Sequence, residues 1–190
     1  MHDKPALLPA SGPLLLVGMI ALAALSRLLP HPPNFSPVEA IALFGGAHFA
    51  SKSTALWIPL AAMFVSDIAL GLVNGGIYAN YFLGAGFWLV YLCIALSTVL
   101  GFALRGRADA WRVTGYSLVG SLLFFVLTNF GVWVGSGMYP RSGAGLLAAY
   151  TAGLPFFQNT VAGTLFYGAV LFGSFAWLRR RNPALALQTA

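Results

Sequence analysis

The chain has 190 residues, of which 59% are hydrophobic and 7% charged, with a mean hydropathy of +0.83. Soluble domains carry roughly 25% charged residues, so ten basic and four acidic side chains exclude a water-coated globule, and a single cysteine excludes an internal disulfide. The net charge of +6 falls at the ends of apolar runs, not in a basic stripe, which excludes nucleic-acid binding and disorder and leaves a polytopic membrane protein.

Residues 1–12 are short and polar, and no small-residue cleavage site follows the first apolar run, so they make a poor signal peptide. Residues 13–29 read as the first span. Pro30-His31-Pro32-Pro33-Asn34-Phe35-Ser36-Pro37 has four prolines in eight residues and must be a stiff, extended connection. Residues 38–50 are apolar but too short for a full crossing, which suits a re-entrant or steeply packed helix. Gly45-Gly46 within it allows close helix contact. Residues 54–73 form a third segment, interrupted by Pro59 and carrying Asp67, and Asn74-Gly75-Gly76 is a turn. Residues 81–104 and 113–134 form the fourth and fifth. After the loop at 135–143, residues 144–153 read as a short helix, Pro155 starts the next, and 156–178 form the last span.

The expected fold is therefore an all-α integral membrane protein, one transmembrane domain over 1–190 with six segments and both termini cytoplasmic. That orientation places Lys4, Lys52, Arg105, Arg107, Arg112 and Arg179–Arg181 inside, and only Arg27 and Arg141 outside. The non-cytoplasmic half then collects His31, Asn34, Glu39, Asp67, Asn74, Asn80, Tyr81, Trp88, Tyr91, Asn129, Trp133, Tyr139, Arg141, Gln158 and Asn159, while the other half holds little but arginine. Polar groups at membrane depth are tolerated where they line a cavity or pair. The asymmetry predicts an outward-facing pocket.

Asp67 reads either as a ligand-binding carboxylate or as a structural partner of Arg141 or a tyrosine. His31 is a loop residue or a rigidly held ligand contact. His48 reads as interfacial. Cys93 is a small hydrophobe by burial statistics, yet a thiolate is a strong soft-metal ligand. Thr128-Asn129-Phe130-Gly131-Val132-Trp133 is an aromatic belt or a platform for a flat heterocycle. Phe156-Phe157-Gln158-Asn159-Thr160 satisfies loop backbone or faces a ligand. Walker, His-Glu-x-x-His and Gly-x-Ser-x-Gly motifs are all missing.

The Arg27–Pro37 run, Ala42-Leu43-Phe44-Gly45-Gly46-Ala47, Ser66-Asp67, Thr128–Trp133 and Pro155–Thr160 together resemble small bacterial inner-membrane proteins similar to the S components of energy-coupling factor (ECF) transporters. Among these, the chain is closest to the solitary BtuM-type vitamin B12 transporters. The resemblance implies a six-helix, S-component-like bundle for micronutrient uptake, most of all of cobalamin. It implies no intrinsic cofactor, the bound corrinoid being the substrate. It carries His31 and Asp67 into the site and makes Cys93 the candidate thiolate. Cys93 or His31 would hold the cobalt, and Cys93 would assist loss of cyanide, an accessory step rather than enzymatic turnover. Tyr81, Trp88, Tyr91 and Trp133 would form the wall, and Asn34, Asp67, Asn129 and Arg141 would bond the rim. Gln158 stands where the family tends to have arginine. The first helix lacks the strict Ala-x-x-x-Ala used for docking on a shared energising module, which fits a solitary protein in the lipid bilayer. Two other readings stay open. The same pocket would suit another vitamin or heterocycle. A ligand-free membrane scaffold would use Gly71-x-x-x-Gly75 and Gly131-x-x-x-Gly135 as packing faces.

Overall fold

In the computed structural model, residues 12–75, 84–182 and 185 are described, and all regular structure among them is helical. The first apolar run forms α1 (Gly12–Leu25) and then tightens into a 3-10 turn over Ser26–Leu28. α2 (Val38–His48) follows the proline-rich connection. α3 (Lys52–Asn74) is capped by the Ser51 hydroxyl, which accepts from the Thr54 amide at 3.3 Å. α4 spans Ala85–Phe102. α5 (Ala110–Gly135) is capped by Asp109, which accepts from the Arg112 amide at 2.9 Å. α6 (Gly143–Arg181) is capped by Ser142. Each cap satisfies a helix-start donor that would otherwise lack a partner. α3, α5 and α6 are long and apolar enough to cross a membrane.

One break expected from the sequence is absent. Pro155 does not start a helix; it lies inside the 39-residue α6, with an exposed ring. A proline removes one helical hydrogen bond, but it breaks a helix only where packing fails on both sides. Here the buried faces run on from Ala149 and Gly153 to Thr160 and Gly163. Pro59 is likewise interior to α3, buried against Gly45 of α2.

α2 is the centre of the molecule. All eleven of its residues are buried, and it touches each of the other five helices. At about 16 Å it is too short to cross a hydrocarbon core of about 30 Å. Its closest crossing is with α4, where Gly46 and Gly101 meet backbone to backbone; a Cβ on Gly101 would lie 2.5 Å from the Leu43 carbonyl oxygen and 3.0 Å from the Gly46 Cα. The close helix contact expected at Gly45-Gly46 is present. By contrast, Gly75 and Gly135 face open space among the described residues, while Gly131 packs against Leu89 of α4. Arg105 closes the end of α2, donating to the carbonyls of Gly46 at 3.0 Å and Phe49 at 2.8 Å. His48 is buried among the rings of Phe44, Phe172 and Phe175, not interfacial.

Candidate functional site

The proline-rich connection behaves as a strap across the middle of α6. Asn34 takes a positive φ of 62°, turning the chain back. Phe35 then lays its ring against Phe166 and Tyr167, at 5.7 and 6.0 Å between centroids. The Asn159 amide donates to the Pro33 carbonyl at 2.9 Å. Ser36 sits directly on Gly163, where a Cβ would come within 2.7 Å of its backbone nitrogen.

This strap forms one edge of a cavity of about 1070 Å³. Pro33 and Asn34 stand at that edge. The first turns of α4 contribute Gly86, Trp88, Leu89 and Leu92. The last turns of α5 contribute Phe124, Phe125, Thr128, Asn129 and Phe130, and the following loop adds Met138 and Tyr139. α6 supplies Gly153, Phe156, Phe157 and Thr160. Small-molecule sites usually measure roughly 300–1,000 Å³, so this one suits a large ligand. Its walls are mostly aromatic and aliphatic, with a few amide and hydroxyl groups between them.

The basic residues gather at the other end. Arg107 and Arg179 share a smaller cavity of about 170 Å³ with His48, and Lys52 and Arg105 both lie over the Phe102 ring. The polarity asymmetry expected from the sequence thus has a spatial counterpart, an aromatic cavity at one end and cations at the other.

Of the expected site residues, Asn34, Trp88 and Asn129 line the cavity together. The Asn129 amide is partly committed, since its nitrogen donates to the Phe125 carbonyl at 2.9 Å and its oxygen lies against Gly153. Tyr81 lies outside the described residues.

Others are placed differently. Asp67 is not on the cavity wall. It is 1% exposed and ion-paired with Arg27 at 2.7 Å, and its second oxygen accepts from the Tyr91 hydroxyl at 2.9 Å. Arg27 also donates to the Ser66 hydroxyl, which donates to the Ala24 carbonyl, so the network ties α1 to α3 and α4. Tyr91 is part of that network and not of the wall. Cys93 is 1% exposed and does not line the cavity, because the helical turn that points Trp88 and Leu92 into it carries Cys93 into the core. His31 is exposed on the strap, away from Cys93's core position. Among the described residues, no three of His, Cys, Asp and Glu cluster as a metal site. Trp133 donates from its indole nitrogen to the Pro140 carbonyl at 2.9 Å, and Arg141 donates to the Val134 carbonyl; both close the α5–α6 loop. Gln158 is exposed, one residue along the helix from Phe157, which does line the cavity.

The site list drawn from sequence omitted Phe124, Phe125, Met138, Tyr139 and Thr160. Thr160 and Phe156-Phe157 belonged to a run already singled out, but spacing alone did not say which side faced the ligand. Glu39 was noted as polar and not chosen; it is buried in the middle of the bundle.

A family model described as a family of unknown function (DUF6580) matches residues 9–185. No curated protein and no solved structure matches.

Proposed function

We propose that this chain, which belongs to the DUF6580 family, is a multi-pass bacterial inner-membrane protein that captures a large, flat micronutrient, cobalamin first among them, in the cavity between α4, α5 and α6. The observation that carries this reading is the cavity itself: about 1070 Å³, walled by Trp88, Phe125, Phe130, Phe156 and Phe157, with Asn34, Asn129 and Tyr139 as polar contacts. Aromatic walls suit a macrocycle's face, and amides suit its amide-bearing rim.

The membrane setting follows from α3, α5 and α6 and from apolar side chains turned outward, such as Leu72, Val73 and Phe166, which are 83%, 72% and 53% exposed. In this reading α1, α2 and α4 complete a six-segment, S-component-like bundle, the arginine-rich end faces the cytoplasm with both termini, and the cavity opens outward. The protein acts alone, as a substrate-binding transporter.

Cobalt ligation by Cys93 is left out of this reading, because the core position of the thiol separates it from the cavity. The corrinoid is held by its ring face and rim, and cyanide stays on the metal.

The test is the absorbance spectrum of detergent-purified protein after incubation with cyanocobalamin and removal of free ligand. A bound corrinoid with an unshifted cyano spectrum is expected. Trp88→Ala should weaken binding about tenfold, or about 1.4 kcal/mol, and leave the ligand-free melting temperature nearly unchanged. A colourless yet folded, monodisperse protein would move the assignment to another vitamin. A shift away from the cyano form would return Cys93 to the site.

A further inference from the structure

Glu39 stands in the first turn of α2, 2% exposed, in the middle of the bundle. Its Oε1 has no hydrogen-bond partner. Its Oε2 accepts from the Thr164 hydroxyl at 3.3 Å, but that hydroxyl has one hydrogen and also points to the Thr160 carbonyl at 2.8 Å. One carboxyl oxygen is therefore unpartnered and the other shares a single hydroxyl hydrogen. No basic side chain reaches it; the ion pairs among the described residues are Arg27–Asp67 and Arg112–Asp109.

Three more buried oxygens share this condition. Ser97 on α4 and Ser117 and Ser121 on α5 are each at most 1% exposed, and none of their hydroxyls has a partner. Native interiors leave very few such groups. Here four occur on helices that meet around one glycine. A Cβ on Gly120 would lie 3.7 Å from the Glu39 Cβ, 3.7 Å from the Ser97 Oγ and 3.8 Å from Leu43 Cδ1. Those are ordinary contact distances, so Gly120 leaves a space about the size of a methyl group between the Glu39 stem, the Ser97 hydroxyl and Leu43. Ser117 and Ser121 flank Gly120 on the buried stripe of α5.

We infer that Glu39, Ser97, Ser121 and Thr164 form a site for one small monovalent cation, sodium in the cell, bound without its water; the Ser117 hydroxyl lies a turn away, towards Gly168. The donors are all hard oxygens, the class that suits alkali and alkaline-earth ions and not soft metals. One carboxylate balances one positive charge; a divalent ion would leave an uncompensated charge in a low-dielectric interior. The ion satisfies the carboxylate and accepts lone pairs from the hydroxyls, groups that the structure leaves without partners. The site also borders the ligand cavity. Thr160 lines that cavity, and Thr164, one turn further along α6, reaches Glu39. An ion here shares a wall with the cavity, so any effect of the ion on ligand affinity is matched by an equal effect of the ligand on ion affinity. The ion site stands whatever the ligand is.

The test is the melting temperature of the full chain in detergent, in sodium, lithium, potassium or choline chloride at equal ionic strength. Sodium should raise it by several degrees over choline, saturably, as a bound ion must. Glu39→Gln should erase the difference. Gly120→Ala fills the space without a clash and should also erase it while keeping or raising the melting temperature in choline, which covers the case in which Glu39→Gln fails to fold. Equal melting in all four salts would overturn the proposal and leave the space to a buried water. A response to potassium alone, or one that persists in Gly120→Ala, would overturn it too.

Discussion

Arg27 and Asp67 form a buried ion pair whose partners lie 40 residues apart, with the Arg27 side chain 15% and the Asp67 side chain 2% exposed. Removing one member of such a pair leaves a lone charge in a low-dielectric interior, at a cost of about 3–5 kcal/mol. Asp67→Ala should therefore lower the melting temperature markedly yet keep the ligand-induced rise in the surviving folded fraction. Loss of that rise alone would make Asp67 a ligand contact after all. Replacing both residues with apolar ones, Arg27→Met with Asp67→Leu, should recover much of the loss, and a double-mutant cycle reads the coupling directly. The sequence drew attention to Asp67 because an acid inside an apolar run has to be explained. It did not reveal the partner. Arg27 closes α1 and reads as an interfacial charge, and only the packing of α1 on α3 brings the two together. Glu39 reads only as one of several polar residues for a related reason: an acid in the first turn of a helix is ordinary, and nothing in the local pattern says that this helix starts in the middle of a bundle.

At the scale of elements, the Gly46–Gly101 crossing sets how closely α2 and α4 approach. Gly101→Ala would press a methyl group onto the Leu43 carbonyl, backbone against backbone, where no side chain can yield. The expected cost is about 3 kcal/mol, at the upper end of overpacking effects, read as a lower melting temperature. An unchanged value would mean that the helices separate easily. By contrast, Gly86→Ala on the same helix meets nothing within 4 Å and should be neutral or slightly stabilising. Prolines, glycines and charges marked most helix ends closely, because those residues act on the backbone within a turn or two. The continuity of α6 through Pro155 was not legible. Whether a proline ends a helix depends on what packs on either side of it, and that depends on distant segments. Which face of α4 lines the cavity was also hidden, since nearly all its residues are apolar and give no stripe to follow.

For the whole molecule, the cavity lies at one end and Arg107 and Arg179 at the other. The proposed orientation predicts opposite labelling in a Cys93→Ala background. Ser136→Cys, in the exposed α5–α6 loop, should react in intact cells with a membrane-impermeant maleimide. Ala108→Cys, in the exposed α4–α5 loop, should react only after permeabilisation. The reverse pattern would invert the protein and turn the cavity inward.

The complete burial of α2 also bears on time. A helix enclosed by five others has no route to solvent that leaves the others in place. Segments at the edge of a fold open in local fluctuations, whereas the innermost exchange their amide protons only through global opening. In hydrogen–deuterium exchange, Val38–His48 should be the slowest segment to take up deuterium. Its rate would then report the lifetime of the native state as a whole. If α2 exchanged as fast as α1, the bundle would be opening around its own centre.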